Sequence, residues 1–417
     1  MHIVILTAGS RGDIQPFIAL SRGLLARGHR VTLGAPATFA ALVAGYDVPF
    51  APLNDEFLRV AETSEGKAAF EGGSPLGLIA KVKPMLRRMM EDAAAAGHNA
   101  DLIIYHPKVL GASYIAEAHG KPAVLSLPLP AYTPTRAFPS PILPIQTGIG
   151  ALNKLSHGIL RLIKAPYLDV INDFRASLGM GKVGRFSDDL LRADGTRIPV
   201  MYPVSAHLVP RPDDYPMDAE ITGSWFLDAP ETWQPSAELS AFLAAGDAPV
   251  YVGFGSMISS RAEEKARLVI DALQSAGVRG ILASGWGALD LKPADLPDSI
   301  LALRDAPHDW LFPRMAAVVH HGGSGTTAAG LRAGVPNVIA PFMGDQVFWG
   351  ARVHALGAGP APIPNKRLST SALSAAIRSA VTDARMRENA ARLGERVRAE
   401  DGVGRAVAFL ERMRVLA

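Results

Sequence analysis

The sequence predicts an α/β fold in which two Rossmann-like domains face each other across a cleft. The length of 417 residues suits two domains of roughly 200 residues each. In both halves, short apolar runs alternate with amphipathic segments, which is the pattern of βαβ units in a parallel sheet. Hydrophobic residues make up 48% of the chain, beside 40 glycines and 32 prolines. This composition favours globular domains with many tight turns over a disordered or fibrous chain.

Charge and residue usage exclude several classes of protein. The 42 basic and 39 acidic residues leave a net charge of +3, and lysine and arginine form no block longer than a pair. Nucleic-acid binding is therefore not expected. The absence of cysteine excludes disulfides, thiol nucleophiles and cysteine-ligated metals. Residues 1–6 lack the features of a signal peptide, and no apolar run is long enough to span a membrane, so a cytoplasmic protein is expected.

The first half begins with a complete βαβ unit. Apolar runs at 2–6 and 31–35 flank a glycine-containing turn at 7–13 and an amphipathic segment at 14–27. The turn lacks the G-x-G-x-x-G spacing, and no acid follows the second strand at the right distance. A nicotinamide dinucleotide site is therefore not predicted. The later elements of this half are helices near 36–45, 76–97 and 109–119, and strands at 102–105, 123–127 and 200–209.

Residues 128–166 interrupt this alternation. Six prolines between 128 and 144 are interleaved with leucine, isoleucine, tyrosine and phenylalanine, which predicts an irregular apolar wall. A long loop inside a compact domain is commonly functional. Residues 210–216 are rich in proline and aspartate, as linkers are. The predicted domains are therefore 1–212 and 213–390, followed by a C-terminal helix at 391–417.

The second half restarts the alternation. It predicts strands at 249–256, 279–284 and 300–303, a helix at 261–276 and further helices between 369 and 415. It shares an architecture with the first half without repeating its sequence. Because open parallel sheets bind ligands at the carboxyl ends of their strands, two such domains are expected to share one cleft.

The stretch 317–346 carries the clearest functional pattern. An apolar strand at 317–319 leads through His320-His321-Gly322-Gly323 into a small-residue helix at 324–333. The following Gly334 and Pro336 are typical of a helix end. A helix N-terminus after a glycine-rich turn binds phosphate because its free amides and its dipole face the anion.

Polar side chains around this turn extend the predicted site. His320 and the hydroxyls of Ser324, Thr326 and Thr327 add donors for a diphosphate. Asp345-Gln346 follows the next apolar run, where a hydroxyl-rich ligand would be expected. The sequence thus predicts a nucleotide-sugar. A metal shared by His320 and His321 is not predicted, because adjacent residues of a strand point to opposite faces.

Each candidate has an alternative structural explanation. The glycine-rich turn could simply pack tightly, Asp13 could cap a helix or act as a general base, and Asp345-Gln346 could cap the helix that follows. Trp286 and Trp310 could be core residues or a platform for a nucleobase. The helix that carries Lys81, Lys83, Arg87 and Arg88 beside Met85, Met89 and Met90 could be a solvated face, a membrane contact or a wall for an apolar substrate.

Several motifs together resemble one family. Residues 9–16 (GSRGDIQP), 133–139 (TPTRAFP), 307–314 (PHDWLFPR), 320–327 (HHGGSGTT) and 341–346 (PFMGDQ) occur in the order found in GT-B glycosyltransferases of family 1. The resemblance covers essentially the whole chain. It is strongest to the branch that contains sterol glucosyltransferases and glycopeptide-antibiotic glycosyltransferases.

The resemblance implies a role for each half. The C-terminal domain is expected to bind the nucleotide-sugar and the N-terminal domain the acceptor, with the terminal helix crossing back to the first domain. Asp13 occupies the position of the acceptor-activating base and, with His320, is a predicted catalytic residue. Many relatives have histidine at that position with a supporting acid downstream, so a His–Asp dyad is not assumed here.

The same resemblance assigns binding residues. The expected donor-binding residues are Ser10, Arg11, Gly12, Ser256, Trp286, His308, His320, Gly323, Ser324, Gly325, Thr326, Asp345 and Gln346. The apolar wall and the methionine-bearing helix suggest a large hydrophobic acceptor, and the expected acceptor-binding residues are Met85, Pro128, Pro130, Tyr132, Thr135 and Phe138.

The predicted reaction is an inverting transfer of a sugar, with UDP-glucose as the expected donor and dTDP-sugars as the alternative. The acceptor could be a sterol or steroid, triterpenoid, polyketide, macrolide, flavonoid or glycopeptide. No metal or other cofactor is expected, and helix amides with His320 would stabilise the leaving group. No stable membrane insertion is predicted, although peripheral contact stays open. The rival hypotheses are a nucleotide-sugar epimerase and a catalytically silent binding protein.

Overall fold

The chain folds into two parallel β-sheets that are each flanked by helices. This computed structural model describes residues 1–60, 63, 76–145, 147–255, 262–283 and 296–416. The strands of the first sheet are β1 His2–Leu6, β2 Arg30–Pro36, β3 Phe50–Leu53, β4 Leu102–Tyr105, β5 Ala123–Ser126, β6 Val200–Tyr202 and β7 Ala219–Ile221. Those of the second sheet are β8 Val250–Gly253, β9 Gly280–Ala283, β10 Ile300–Leu303, β11 Ala317–His320 and β12 Asn337–Ile339.

Helices connect these strands and cover both faces of each sheet. In the first half they are α1 Arg11–Leu25, α2 Ala40–Ala44, α3 Glu56–Val60, α4 Leu76–Gly97, α5 Ala112–Ala118, α6 Gly150–Ser156, α7 Ile159–Lys164 and α8 Leu168–Ser177. In the second half they are α9 Ala237–Ala244, α10 Ala262–Ala276, α11 His308–Leu311, α12 Ser324–Ala333, α13 Gln346–Ala355, α14 Thr370–Thr382, α15 Ala384–Arg398 and α16 Gly402–Arg412.

Continuous apolar strands explain the layered architecture. Residues 3–6 of β1 and all four residues of β4 and β11 are buried. A strand that is apolar on both faces requires helices on both faces of its sheet. The first sheet accordingly has two separate hydrophobic clusters, one containing Val4 and Leu6 and the other containing Ile3 and Ile5.

Strand order fixes where ligands can bind. The first sheet runs β3-β2-β1-β4-β5-β6-β7 and the second β10-β9-β8-β11-β12, with every pairing parallel. The order therefore reverses between β1 and β4, and again between β8 and β11. Crevices beyond the carboxyl ends of such strand pairs are where open sheets bind ligands. Two facing Rossmann-like domains are thus confirmed.

The boundary predicted at 212/213 does not match the first sheet. Strand β7 lies beyond it and pairs with β6, with Met201 opposite Glu220. Residues of the predicted linker are also held in place, because the Arg211 guanidinium donates to the carbonyl of Pro216 at 2.8 Å. Proline and aspartate here form a turn between paired strands. A three-residue strand offers too short an alternation to be recognised from its sequence.

The last helix packs against the first domain, which agrees with the crossing that the resemblance implied. In α16, Phe409 and Leu410 are buried in the cluster around β1 and α1. The Trp225 indole donates to the Gly402 carbonyl at 3.1 Å, which holds the start of the helix. The crossing helix is α16, whereas the predicted segment 391–417 also includes most of α15, which packs on α12 of the second half.

Candidate active site

A single large cavity lies between the carboxyl edges of the two sheets. Its volume is about 1950 Å³, and both domains contribute to its lining. Residues 9–13 and 106–110 come from the switch point of the first sheet, whereas 323–326 and 343–346 come from the second. The two turns approach closely, since a Cβ on Gly325 would lie 3.9 Å from the Gly12 Cα. This cavity is the cleft that the sequence predicted.

Asp13 lies at the first-sheet side of the cavity, in the first turn of α1. Its Oδ2 atom accepts hydrogen bonds from the Ser10 amide at 2.8 Å and from the Lys108 ammonium at 2.7 Å. Gly9 has a φ of +128°, and a Cβ at that position would lie 2.2 Å from Asp13 Oδ2. The close approach of carboxylate and ammonium therefore requires glycine there. Asp13 is both a helix-capping residue and a group that faces the cavity.

His106 supports the other oxygen of this carboxylate. The His106 Nδ1 accepts from the Lys108 amide at 3.2 Å, so in the neutral ring the proton is on Nε2. That Nε2 lies 3.5 Å from Asp13 Oδ1. His106 and Lys108 both follow β4, the strand beside β1 at the switch point. The sequence did not predict His106 or Lys108 as site residues, because only the pairing of β4 with β1 brings them to Asp13.

The groups around Asp13 oppose the effect of burial on the pKa of its carboxyl. Burial raises the pKa of the Asp13 carboxyl, but the Lys108 charge, His106 and hydrogen bonds from Lys108 and Ser10 lower it, and the net direction is downward. Burial lowers the pKa of His106 to about 3, partly opposed by Asp13. At neutral pH the centre is therefore a carboxylate, an ammonium and a neutral imidazole. This arrangement keeps the Asp13 carboxyl ionised.

The glycine-rich turn follows β11 as predicted, but His320 is not at its surface. The ring is fully buried, and its Nδ1 accepts from the Gly322 amide at 3.0 Å. Its Nε2 then donates to Asn337 Oδ1 at 2.9 Å. His320 thus supports the turn from beneath, so the prediction that its side chain contacts the diphosphate is corrected. The Gly322 amide is also engaged and is not available to an anion.

The neighbouring His321 faces the cavity instead. Its Nδ1 is buried and has no hydrogen-bond partner among the described residues. The ring fits between two turns, because a Cβ on Gly255 or Gly323 would lie 2.6 Å or 2.5 Å from it. Burial, with smaller effects of His320 and His308, lowers the pKa of His321 to about 3. A neutral, unpaired ring nitrogen beside the start of α12 is available to a polar ligand.

The start of α12 provides further donors. Gly323 is the N-cap, and its carbonyl accepts from the Thr327 amide and hydroxyl, both at 2.9 Å. The amides of Ser324, Gly325 and Thr326 occupy the first turn, where a helix leaves them without internal acceptors. All three residues line the cavity, as does Gly323. The residues of the predicted anion site therefore line the cavity, and the histidine beside them is His321 in place of His320.

Asp345 and Gln346 line the cavity but also hold their own loop. Asp345 is the N-cap of α13, and its Oδ2 accepts from the Trp349 indole at 2.9 Å. The Gln346 Oε1 accepts from the amides of Phe342 and Met343 at 2.7 and 3.1 Å. Burial raises the pKa of the Asp345 carboxyl despite the Trp349 hydrogen bond. Asp345 and Gln346 therefore hold this loop together and also line the cavity.

His308 and Arg11 line a separate part of the cavity. His308 stacks on Phe312 with ring centroids 4.1 Å apart, and burial lowers its pKa to about 4. Arg11 forms an ion pair at 3.1 Å with Asp305 across the cleft. Ser10 and Gly12 line the cavity as predicted. Ser256 and Trp286, two predicted donor-binding residues, lie outside the described residues.

The tryptophan that lines this part of the cavity is Trp233, which the sequence did not predict as a site residue. Trp233 lines the cavity and contacts Trp310 with ring centroids 5.1 Å apart. Trp310 itself is covered by the Arg314 guanidinium at 4.0 Å and is not part of the lining. Trp233 lies in a stretch without a recognisable motif. No pattern in the sequence could have singled it out.

Two of the six predicted acceptor-binding residues line the cavity, namely Pro128 and Tyr132. The Thr135 hydroxyl is fully buried and donates to Asp214 at 2.5 Å, which fastens its loop to the turn before β7. Phe138 packs on Phe348 of α13 with centroids 5.6 Å apart. The prediction that these two contact the acceptor is therefore corrected.

Met85 and Pro130 also lie away from the cavity lining. Pro130 is buried in its loop, and Met85 is on a helix whose neighbouring residues Met89 and Met90 are in the core. The basic side chains of this helix form ion pairs, for example Arg88 with Glu56. The apolar wall is instead formed by side chains from several elements: Tyr105, Val109, Leu125, Leu127, Ile142, Leu160, Ile163 and Ile171.

Known proteins are similar to this chain in both of its halves. Residues 3–139 match the model of the glycosyltransferase family 28 N-terminal domain, and residues 289–410 match that of the erythromycin biosynthesis protein CIII-like C-terminal domain. A sterol 3-beta-glucosyltransferase of Arabidopsis thaliana is 38% identical over 98% of this chain and 64% of its own length. A second from that plant is 35% identical, covering 98% and 67%. The chain spans 30% of a sterol 3-beta-glucosyltransferase of Emericella nidulans, with 35% identity.

Solved structures share the fold over the full length. The glycotransferase of kitacinnamycin has a TM-score of 0.73 with 20% identity, covering 100% of this chain and 99% of its own. The calicheamicin glycosyltransferase CalG4 has a TM-score of 0.68 with 20% identity, covering 99% and 98%.

Together, the two opposed sheets and the anion site at their shared cleft define the GT-B glycosyltransferase class. The chain belongs to the glycosyltransferase family that includes the sterol 3-beta-glucosyltransferases. None of the described helices is both long enough and apolar enough to cross a membrane.

Proposed function

We propose that this protein transfers glucose from UDP-glucose to the 3-hydroxyl of a sterol with inversion at the anomeric carbon. The observation that carries the proposal is one cavity with Asp13 on one side, the start of α12 and His321 on the other, and an apolar wall beside them. The names of two relatives that match 98% of this chain support the sterol and the glucosyl group.

In the proposed reaction the acceptor oxygen attacks the anomeric carbon as the bond to the diphosphate breaks. Asp13 takes the proton from the attacking hydroxyl, and UDP leaves with the electron pair. The amides of residues 324–326 and the His321 ring stabilise the negative charge that develops on the leaving group. Fixed donors aimed at such charge commonly contribute several kcal/mol, roughly 3–4 for one lost donor. Asp345 and Gln346 are proposed to bind sugar hydroxyls.

The donor could alternatively be a dTDP-sugar. One solved relative, the glycosyltransferase SsfS6 of Streptomyces sp. SF2575, was crystallised with thymidine diphosphate and has a TM-score of 0.64 at 20% identity. Such donors differ from UDP-sugars by a methyl group on the base and by the missing ribose 2′-hydroxyl, and we propose that the nucleoside binds in the part of the cavity lined by Trp233 and His308. The names of the sterol relatives specify a glucosyl group, and UDP-glucose is the donor that we propose.

The direct test is incubation with UDP-glucose or dTDP-glucose and a panel of sterols, flavonoids and macrolides, followed by mass spectrometry. The proposal expects one hexose added to a 3-hydroxysterol with UDP-glucose, and no addition to the corresponding sterol 3-ketone. Hexose addition confined to the other acceptors would overturn the sterol assignment. Conversion of the donor alone would indicate an epimerase, and binding without turnover on any acceptor would indicate a silent binding protein.

A further inference from the structure

The two short helices α6 and α7 bury polar side chains and expose leucine and isoleucine side chains. The buried side chains include Asn153, His157 and Lys164. The exposed ones include Leu155, which is 76% exposed, and Leu162, which is 55% exposed. A surface helix of a soluble domain ordinarily has the opposite pattern. The exposure of these leucines is therefore not explained by the burial of apolar surface on folding.

Buried polar contacts fix these helices in this orientation. The Asn153 amide donates to the Arg136 carbonyl at 2.9 Å, and the His157 Nδ1 lies 2.9 Å from the Ala131 carbonyl. The Lys164 ammonium is paired with Asp189. Rotating the helices to bury their leucines would break these contacts and leave the ammonium unpaired. The apolar face is thus held outward by the fold.

The exposed apolar residues form what we name the mouth patch: Ile145, Ile149, Leu152, Leu155, Leu162 and Ile163. Ile163 is 48% exposed and also lines the cavity, as does Leu160 on the same helix. The patch is therefore continuous with the apolar wall of the acceptor side. Contiguous exposed apolar surface of this kind marks a contact with a protein, a membrane or a ligand.

Charge distinguishes among these partners. No acidic residue occurs from 118 to 168. The two helices that bear the mouth patch also carry the exposed cations Lys154 and Arg161. A two-fold dimer through this patch would bring the cations of both copies into one interface where residues 118–168 offer no acidic partner, which is unfavourable. An anionic surface would instead attract them.

We propose that the mouth patch docks on an anionic lipid bilayer and presents the acceptor side of the cavity to it. The leucines and isoleucines enter the boundary between head groups and acyl chains, while Lys154 and Arg161 bind lipid phosphates. A sterol could then pass between the bilayer and the cavity along Ile163 without crossing water. This last step rests on the proposed function, whereas the docking itself does not.

The test is cosedimentation of the full chain with vesicles of phosphatidylcholine, with or without phosphatidylglycerol. Wild type is expected to bind the anionic vesicles and to release them at high salt. The double variant Leu152→Ser/Leu155→Ser should bind at least about tenfold more weakly, because two exposed leucines no longer insert. Lys154→Gln/Arg161→Gln should lose about fivefold per charge on anionic vesicles.

Met217→Ser is the matched control, since Met217 is 81% exposed and lies outside the patch. It should bind as wild type does. Failure of wild type to bind anionic vesicles, or undiminished binding by the leucine variant, would overturn the proposal. So would a dimer in light scattering that this variant dissociates while vesicle binding is retained.

Sterol transfer separates the docking from the proposed function. The leucine variant should lose transfer to sterol in vesicles but retain transfer to sterol delivered by cyclodextrin, because neither leucine lines the cavity. Vesicle binding without transfer to any sterol would reject the proposed function and leave the docking intact. Equal transfer by the variant from both sources would reject delivery from the bilayer.

Discussion

The Lys108 ammonium lies 2.7 Å from the carboxylate that we propose as the general base. It keeps that carboxylate ionised, but it also lowers its affinity for a proton. A general base is most effective when its pKa is near the working pH. The lowered pKa of Asp13 therefore makes it a weaker proton acceptor than a base whose pKa matches neutral pH.

Replacing Lys108 with glutamine should shift the pH dependence of transfer. Burial raises the pKa of Asp13 and Lys108 lowers it, so loss of the ammonium should move that pKa upward. Since only the carboxylate can accept a proton, the acid limb of the kcat/KM profile should move to higher pH. Lys121→Gln is the control, because Lys121 pairs with Asp101 instead. An unmoved acid limb would show that Asp13 does not control it.

The adjacent histidines should respond differently to alanine substitution. His321→Ala removes a neutral donor that faces the anion site, and kcat should fall about 10²–10³-fold, the usual effect of losing one such donor. Its loss of folding stability should be smaller than that of His320→Ala, because no hydrogen bond of Nδ1 is lost in the described part of the chain. Turnover kinetics and thermal unfolding would measure the two effects.

His320→Ala should instead reduce stability by about 1–3 kcal/mol, because the Gly322 amide and Asn337 would lose a buried partner. Urea unfolding would measure this loss. The reverse result would be a stable but inactive His320→Ala variant beside an active His321→Ala variant. It would show that His320, as first predicted, is the catalytic histidine.

At the scale of elements, α16 stabilises the first domain although it follows the second in sequence. Gly402 begins this helix, and a Cβ there would lie 2.3 Å from the Ser224 carbonyl oxygen. Gly402→Ala should therefore displace the helix and reduce the free energy of unfolding by about 1–3 kcal/mol. Gly181→Ala is a suitable control, because nothing lies within 4 Å of its Cβ. Equal stability of the two variants would show that this docking contributes little.

The elements also show how far the sequence could predict the structure. Strands β1 and β4 and helix α12 were predicted with their observed bounds, because each has a clear apolar or small-residue pattern that is bounded by polar residues, glycine or proline. Helices α6 and α7 were not predicted, because prolines dominate the preceding loop and their apolar residues do not mark a buried face. Strand β7 was missed because three residues are too few to show an alternation.

The candidate site was predictable only where one motif contains it. The turn at 322–326 and Asp13 follow strands that the sequence reveals, so their place in the cleft could be predicted. His106 and Lys108 reach Asp13 through the pairing of β4 with β1, which no local pattern encodes. Which of His320 and His321 faces the cavity depends on how the chain leaves β11, and adjacent polar residues give no sign of it.

At the scale of the whole molecule, the proposed glucosyl transfer requires no divalent cation. Two sheets bring a helix N-terminus, His321 and Asp13 into one cavity, and these groups are proposed to balance the charge of the diphosphate. Chelation with EDTA should therefore leave the rate of glucosyl transfer unchanged, as measured by UDP release. A rate that is lost on chelation and restored by magnesium would contradict this view of the leaving group.

The most direct test of the central claim is the rate of sterol glucosylation by Asp13→Asn, measured beside its affinity for UDP. The amide keeps the size of the side chain and cannot accept the proton at neutral pH. We predict that turnover falls at least about 10²-fold, within the usual range for loss of a general base. UDP affinity should stay the same, because UDP is proposed to bind at α12. Near-normal turnover, or UDP binding lost together with turnover, would contradict the account.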